Sequence, residues 1–336
     1  ILCALGAFLM SRANAIWVFY VGGVLEGLGT APMLFLAVPK LIGNWCEKRV
    51  GFLTGLCLAF TGLGAVIFNP ILTAVINTGV EGWRTAYIVE TIAILVCVLP
   101  FSLFVIKDKP EDKGLKPYGA GEVSDDNAST AGANLGVSSN KAMKTPAFFC
   151  IAIFGGIIAL NQTVYQFLPR YCISFQATAP EIAALSGTVA AVCMAGLTVG
   201  KIVLGAINDK SPKLGVLVSI VCGIVGILVM WMFPTVAALL IVGAFLFGFV
   251  YAATTVETTL LTRAVFGNRD YATIYSRIST VSALGGALGA TILGVIVDMP
   301  NGFSIMFVLS LAIMVIACLL AMFSLAQSSK YERTAA

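Results

Sequence analysis

The residue that most restricts the chemistry of this chain is a lysine inside a long apolar stretch. Residues 181–210 read EIAALSGTVAAVCMAGLTVGKIVLGAINDK, and Lys201 lies well before the polar end at Asn208-Asp209-Lys210. At 1.5 Å per residue, Asp209 would be roughly 12 Å further along a helix. A cation at this depth costs about 2.5–3.5 kcal/mol in hydrocarbon, so Lys201 should face protein or water. It could bind an anion in a water-filled cavity, form a structural ion pair or extend to the membrane surface, and the stretch itself leaves these alternatives open.

Polar side chains also interrupt two other apolar stretches. One set is Asn161, Gln162 and Tyr165, and the other is Tyr251, Thr254, Thr255 and Thr258, which recur at i, i+3, i+4 and i+7. The second spacing places its members on one face of a helix. Such a face can line a substrate cavity, or it can form hydrogen bonds between helices worth about 0.6 kcal/mol each. We favour the cavity.

Four charged residues could couple transport to protons or act in gating. Glu257 lies beside the threonine-rich face, and Arg277 lies at a matching depth in the next stretch, so we expect these two to form an ion pair, either static or part of a gate. Glu26 is near the middle of its stretch, where a carboxyl group without a cation favours its neutral form. It is a candidate for proton coupling, with a structural hydrogen bond as the alternative. Asp209, at the polar end beyond Lys201, is a further gating candidate.

Composition excludes most other kinds of protein. Hydrophobic residues make up 59% of the chain and charged residues only 11%, against about 25% charged in soluble domains. The net charge of +4 fits basic loops beside a lipid bilayer and gives no reason to expect nucleic acid. Histidine is absent and the nine cysteines form no CxxC pair, so we expect no metal site, no cofactor and no enzyme. A phosphate-binding loop of the GxxxxGK[ST] type is also absent, which argues against ATP-driven transport.

The apolar stretches are long enough to be membrane-spanning helices. A partial one covers 1–11, and full ones cover about 16–43, 50–77, 83–106, 147–171, 182–207, 214–233, 235–262, 271–297 and 302–326. The chain has no initiator methionine and starts inside an apolar run, so we interpret it as lacking its N-terminus. The sequence predicts an all-α, multi-pass membrane protein.

Basic residues predict the orientation of these helices. Most Lys and Arg near helix ends fall on the side of the loop 44–49, and the other side holds only Arg12, Arg84 and Arg170. The positive-inside rule then places that loop, the central linker 107–145 and the tail 329–336 in the cytoplasm, in a plasma-membrane protein. The middle of the linker is rich in Gly, Ser, Asn and Asp, which predicts a flexible segment.

The helices before and after the linker are related by a weak internal repeat. Residues 21–77 align with 242–298 without a gap, so that Val21-Gly22 falls on Val242-Gly243. This pattern favours two six-helix bundles, 1–106 and 146–328. By the same alignment, the first bundle lacks two helices and the start of a third.

Several motifs resemble the Major Facilitator Superfamily, and within it the oxalate:formate antiporter and monocarboxylate porter branch. They are Asn44–Gly51 with Leu53-Thr54-Gly55, Gly82-Trp83-Arg84, Lys109–Pro117, and Gly200-Lys201 followed by Gly205 and Asn208-Asp209-Lys210. The resemblance implies that the visible helices are three to twelve, that helices seven and ten face a central pathway, and that a basic residue at Lys201 contacts a carboxylate. Members of this branch usually have Arg at the position of Lys201. The lysine in this chain is less suited than Arg to bidentate binding of a carboxylate. The branch sometimes carries a second basic residue in the middle of helix eleven, whereas Arg277 lies nearer the inner end.

The sequence therefore predicts a secondary transporter that works by alternating access as a single chain. Its expected substrate is a small organic anion such as a mono- or dicarboxylate, moved by proton symport or anion exchange. A transporter of uncharged or cationic substrates is one alternative, and a non-transporting membrane sensor is another.

Overall fold

The computed structural model describes residues 1–76, 78–119 and 136–331, and the regular elements within these ranges are helical. The α-helices are α1 Leu2–Ser11, α2 Ile16–Ala31, α3 Val38–Trp45, α4 Val50–Ile76, α5 Gly82–Ala93, α6 Ser139–Ala142, α7 Pro146–Gln162, α8 Val164–Ile173, α9 Pro180–Ala184, α10 Ser186–Lys210, α11 Pro212–Met232, α12 Ala237–Ala253, α13 Val256–Phe266, α14 Tyr271–Val297 and α15 Gly302–Gln327. Wider π-helical turns at Pro32–Ala37 join α2 to α3, and others at Ile94–Val98 and Phe101–Val105 continue α5. Short 3₁₀ turns lie at Pro110–Lys113 and Ser328–Lys330.

Seven helical segments in the described part are long and apolar enough to cross a membrane. They are Gly82–Val105, Pro146–Ile173, Ser186–Lys210, Pro212–Met232, Ala237–Phe266, Tyr271–Val297 and Gly302–Gln327. Three shorter apolar helices are Leu2–Ser11, Ile16–Ala31 and Val50–Gly64. The seven long segments and Leu2–Ser11 coincide with the predicted apolar stretches to within a few residues, whereas Ile16–Ala31 and Val50–Gly64 cover only the first parts of the predicted stretches 16–43 and 50–77. The predicted all-helical fold class is confirmed.

The chain forms two compact units. Unit 1 comprises Ile1–Cys46 and Leu63–Ala120, and unit 2 comprises Glu47–Gly62 and Gly121–Ala336. The first part of α4 therefore belongs with the C-terminal helices, whereas the predicted bundles were divided at the central linker. The prediction of two repeated bundles with boundaries at 106 and 146 stays a prediction.

Unit 2 is held together by an apolar core and by close contacts at glycines. Its core includes the fully buried side chains Phe154, Leu168, Phe247, Phe307 and Met314. Helices α10 and α12 approach closely, because a Cβ on Gly196 would overlap the carbonyl oxygen of Phe245. Helices α7 and α14 approach in the same way at Gly156 and Gly285. Close packing at small residues is typical of helices in a membrane.

Unit 1 is organised around α1, which packs against α2 and α5. Arg84 on α5 stabilises the turn after α1. Its guanidinium group donates hydrogen bonds to the backbone oxygen of Ser11 at 3.1 Å and to Asn14 Oδ1 at 3.0 Å. At the other end, Lys40 pairs with Asp108 at 2.9 Å, and the Trp45 indole donates to the Lys107 carbonyl at 3.0 Å.

Both ends of the central linker pack on the unit to which they belong. In unit 1, the Tyr118 amide donates to the Trp45 carbonyl at 2.8 Å. In unit 2, the Val137 amide donates to the Phe266 carbonyl at 2.8 Å, and the Ser139 amide donates to Asp270 Oδ2 at 2.7 Å. These hydrogen bonds hold the end of the linker that precedes α7 against unit 2. The flexible linker stays a prediction. Its middle, 120–135, lies outside the described residues.

Candidate functional site

Lys201 lies in the interior of α10 with only 4% of its surface exposed. Its ammonium group donates hydrogen bonds to the Leu58 carbonyl at 3.2 Å and to Thr61 Oγ1 at 2.7 Å, both on α4 within unit 2. Both acceptors are neutral. Within the described residues no carboxylate lies within the 4.0 Å of an ion pair with Lys201. The structural ion pair considered for Lys201 is therefore not formed in this conformation.

Small residues let α4 lie close enough for these contacts. A Cβ on Gly55 would overlap the carbonyl oxygen of Lys201, and a Cβ on Gly205 would lie 2.5 Å from the carbonyl oxygen of Gly51. Helices α4 and α10 therefore pack closely at the depth of Lys201. Gly200 instead faces α12, where an added Cβ would lie 3.1 Å from Ala252.

Asp209 binds the N-terminus of α4. Its carboxylate accepts hydrogen bonds from the backbone amides of Gly51 at 2.6 Å and Phe52 at 2.8 Å. These amides belong to the first turn, where no intrahelical acceptor is available, and a negative charge there also favours the helix dipole. The predicted gating residue thus joins the end of α10 to the start of α4.

Two membrane helices are interrupted beside the predicted polar sites. Thr163 separates α7 from α8, and Thr254 and Thr255 separate α12 from α13. At each break the threonine hydroxyl donates to a carbonyl three residues earlier, Thr163 to Leu160 at 2.7 Å and Thr254 to Tyr251 at 2.7 Å. Each of these carbonyls also accepts a hydrogen bond from the backbone amide of the same threonine at 3.2 Å, so the hydroxyl is a second donor to it.

The structure brings together one predicted residue from each interrupted helix, Tyr165 and Tyr251. The Tyr165 and Tyr251 rings lie with their centroids 5.1 Å apart, tilted by 32°. Asn161 is fully buried, and neither its Oδ1 nor its Nδ2 has a hydrogen-bond partner among the described residues. Gln162 and Thr255 are half-buried. Helix α10, which carries Lys201, packs against both α8 and α12.

Glu257 is fully buried on α13 and is bound by an amide. Asn208 Nδ2 donates to Glu257 Oε1 at 2.8 Å and to the Leu204 carbonyl at 2.8 Å. The expected Glu257–Arg277 ion pair is wrong. Among the described residues no cation lies within ion-pair distance of Glu257, and Arg277 is exposed on α14. The two residues match in depth along their helices, but depth does not determine which face of a helix a side chain occupies.

Glu26, the proton-coupling candidate of unit 1, is half-buried on α2 beside Gly6 of α1. Its Oε1 is buried and has no hydrogen-bond partner in the part of the chain that the structure describes. The structural hydrogen bond considered as an alternative role is therefore not present at this atom.

Sequence reasoning missed the partners of the two most buried charges. Thr61 and the Leu58 carbonyl bind Lys201, and Asn208 binds Glu257. The signal for Asn208 was its spacing, because Leu204 and Asn208 follow Lys201 at i+3 and i+7 and so share its helix face. Leu58 offers only a backbone oxygen, which no sequence pattern marks.

Comparisons with known proteins identify the family. The family model of the Major Facilitator Superfamily matches residues 1–235 and 175–335. The oxalate:formate antiporter of Oxalobacter formigenes is 23% identical over 308 residues, which are 85% of this chain and 66% of that protein.

Solved structures agree in fold. The E. coli fucose:proton symporter FucP superposes with a TM-score of 0.65 at 13% identity, covering 96% of this chain and 81% of that one. The proton:xylose symporter XylE superposes with a TM-score of 0.68 at 12% identity, covering 96% and 78%. The chain thus belongs to the Major Facilitator Superfamily, as its motifs predicted, and is a multi-pass membrane transporter rather than an enzyme.

Proposed function

We propose that this transporter carries a small organic anion such as a mono- or dicarboxylate, by proton symport or anion exchange, and that Lys201 binds its carboxylate. The observation that carries the proposal is the buried ammonium of Lys201, whose two partners on α4 are neutral oxygens. Two of its three N–H donors have partners, and among the described residues its charge has no counter-ion. A buried charge without a counter-ion is costly in a membrane protein, and a bound anion would remove that cost.

The electrostatic gain from such binding is large enough to matter. Two unit charges 4 Å apart attract by about 4 kcal/mol at an effective dielectric constant of 20, against about 1 kcal/mol in water. A carboxylate that replaced the Leu58 carbonyl and Thr61 hydroxyl around the ammonium would gain this stronger attraction, which offsets the loss of its own hydration and of the two hydrogen bonds it replaces. The same replacement would loosen one link between α10 and α4, which fits a site that opens and closes in alternating access.

Polar groups on the two interrupted helices are the proposed remainder of the site. Asn161 has an unpaired amide N–H donor and carbonyl acceptor, and the Tyr165–Tyr251 pair offers two hydroxyl groups beside aromatic surface. Gln162, Thr254 and Thr255 are proposed to line the same pathway. Similarity to the oxalate:formate antiporter supports an anionic substrate. We further propose that the linker and the C-terminal tail are cytoplasmic and that the membrane is the plasma membrane.

Uptake into proteoliposomes tests this function. Vesicles holding the purified wild-type protein should accumulate radiolabelled oxalate, formate or another small carboxylate, but not a neutral sugar or a cationic drug. Lys201→Gln removes the charge and should abolish uptake, whereas Lys201→Arg should retain part of it. Lys40→Gln is the matched control, because Lys40 is exposed and its pair with Asp108 is a surface pair.

Two results would contradict the proposal. Transport of sugars or cations without carboxylates would assign a different substrate class, and normal uptake by a folded Lys201→Gln variant would make Lys201 a structural cation. Thermal unfolding of each variant in detergent shows whether it is folded.

A further inference from the structure

The ammonium group of Lys201 and the hydroxyl group of Thr61 lie side by side, 2.7 Å apart, one on α10 and the other on α4. Both groups also donate hydrogen bonds to the Leu58 carbonyl oxygen, the ammonium at 3.2 Å and the hydroxyl at 2.8 Å. Lys201 has only 4% of its surface exposed, whereas Thr61 is exposed. A solute that approaches the ammonium from the exposed side therefore meets the Thr61 hydroxyl beside it.

This pair has two protons to offer to a ligand. An ammonium carries three N–H donors, and two of those on Lys201 have partners among the described residues. The single O–H donor of Thr61 is directed at a carbonyl that has more donors than it needs. Because Leu58 lies inside α4, its oxygen is also the acceptor for the helical amide four residues later. Three donors thus share an oxygen with two lone pairs, so the Thr61 proton loses little when it turns to another acceptor.

Two neighbouring donors match the two oxygens of a carboxylate. An arginine binds a carboxylate with two parallel N–H donors of one guanidinium group, whereas a lysine is a single point charge. In this chain Thr61 can supply the second donor, because its oxygen lies within hydrogen-bond distance of the ammonium nitrogen. One carboxylate oxygen then accepts from Lys201 Nζ and the other accepts from Thr61 Oγ1.

We propose that Thr61 is a substrate-binding residue, which together with Lys201 forms a two-donor fork that holds a carboxylate as a guanidinium group would. When the carboxylate takes the place of the Leu58 and Thr61 oxygens around the ammonium, the Thr61 proton turns from Leu58 to the ligand. Because Lys201 and Thr61 lie on different helices, the direct contact between them is replaced by one that runs through the substrate. The inference rests on the proposed anion transport, and it names the residue that orients the bound carboxylate.

Two other roles for Thr61 predict different behaviour. If Thr61 only occupied the ammonium in the empty site, removal of its hydroxyl would free a donor and tighten binding. If Thr61 only fixed the position of the basic side chain, removal of its hydroxyl would be equally harmful in the wild type and in the Lys201→Arg variant. The proposed fork predicts weaker binding in the wild type and little change in Lys201→Arg, since a guanidinium group already has two donors.

The chain offers a closely matched control for Thr61. Thr61→Val removes the hydroxyl and keeps the branched shape, and Thr61→Ser keeps the hydroxyl. Thr78→Val is the control, because Thr78 is also exposed and its hydroxyl also donates to a carbonyl three residues earlier, that of Val75 at 2.7 Å. Thermal unfolding of each purified variant in detergent shows whether it is folded. If Thr61→Val does not fold, Thr61→Ala is compared with Thr61→Ser instead.

Equilibrium binding of radiolabelled formate and oxalate to the purified protein is the measurement, and it does not depend on transport. Thr61→Val should raise the Kd about 10-fold or more, because a hydrogen bond to a charged ligand is lost. Thr61→Ser should restore most of the affinity, and Thr78→Val should bind as the wild type does. In Lys201→Arg, the added Thr61→Val substitution should change the Kd by less than about threefold.

The results separate the role of Thr61 from the proposed function. Unchanged or tighter binding by a folded Thr61→Val variant would overturn the fork, and so would an equal loss of affinity in the wild-type and Lys201→Arg backgrounds. Either result leaves the proposed function standing if Lys201→Gln has lost binding and uptake. If the wild type binds no carboxylate, or if Lys201→Gln binds it normally, the proposed function fails and the assignment of Thr61 fails with it.

Discussion

Asn161 and Lys201 are both buried polar side chains, but they differ in how their hydrogen bonds are satisfied. Lys201 has two oxygen partners, whereas both side-chain polar atoms of Asn161 lack one in the described part of the chain. A buried polar atom without a partner costs about 1–3 kcal/mol. Asn161 therefore lowers the stability of the substrate-free protein. Such a cost is expected at a residue that binds a ligand.

Replacing Asn161 with Leu should stabilise the protein and impair its function. The unpaired amide is removed, and if about 1 kcal/mol is recovered, the unfolding temperature should rise by about 1–2 °C. Carboxylate uptake should fall, because the substrate loses a hydrogen-bonding group. Thermal unfolding in detergent and proteoliposome uptake measure the two effects, with Asn140→Ala at an exposed position as the control. A lower unfolding temperature would show that Asn161 stabilises the fold.

The sequence indicated the buried polar residues but not their partners. Lys201 and Asn161 were identifiable because each interrupts an apolar run. Thr61 lies 140 residues from Lys201, so its role depends on which helices pack together. The wrong pairing of Glu257 with Arg277 has a related cause, since depth along a helix follows from counting residues whereas the direction of a side chain depends on the packing of its helix.

At the scale of helices, residue composition predicted the lengths of the membrane helices better than it predicted where those helices are interrupted. The ten predicted apolar stretches coincide with helices because about twenty apolar residues suffice to cross a bilayer. The breaks at Thr163 and at Thr254–Thr255 were not predicted, because no glycine or proline marks them. A threonine is compatible with a regular helix as well as with a break, since its hydroxyl can bond a carbonyl of the preceding turn in either, so such breaks carry little sequence signal.

The α4–α10 contact yields a prediction with its control on the same helix. Gly55→Ala should destabilise the protein by about 1–3 kcal/mol, because the new methyl group would overlap the carbonyl oxygen of Lys201 and force the helices apart. Gly64→Ala places the same methyl group where nothing lies within 4 Å, so it should be neutral or stabilise the protein by up to about 1 kcal/mol. Chemical denaturation in detergent compares the two.

Carboxylate uptake should follow the same order, since Gly55→Ala also displaces the backbone that carries Lys201. Equal stabilities of the two alanine variants would show that the α4–α10 contact is not tightly packed in the protein in detergent.

At the scale of the whole molecule, the orientation in the membrane follows from the distribution of basic loops, and we propose that the linker is cytoplasmic. Asn140 and Val80 are suitable positions for testing this, because both are exposed, Val80 at 93%, and they are expected on opposite sides of the membrane.

The nine native cysteines are first replaced by serine or alanine, so that a single introduced cysteine reports each position. A membrane-impermeant maleimide applied to intact cells should label Val80→Cys and leave Asn140→Cys unlabelled until the membrane is permeabilised. The buried cation of Lys201 does not affect this result, because only Lys and Arg in short loops near helix ends determine orientation. Labelling of Asn140→Cys in intact cells, with Val80→Cys protected, would reverse the topology and place the linker outside the cytoplasm.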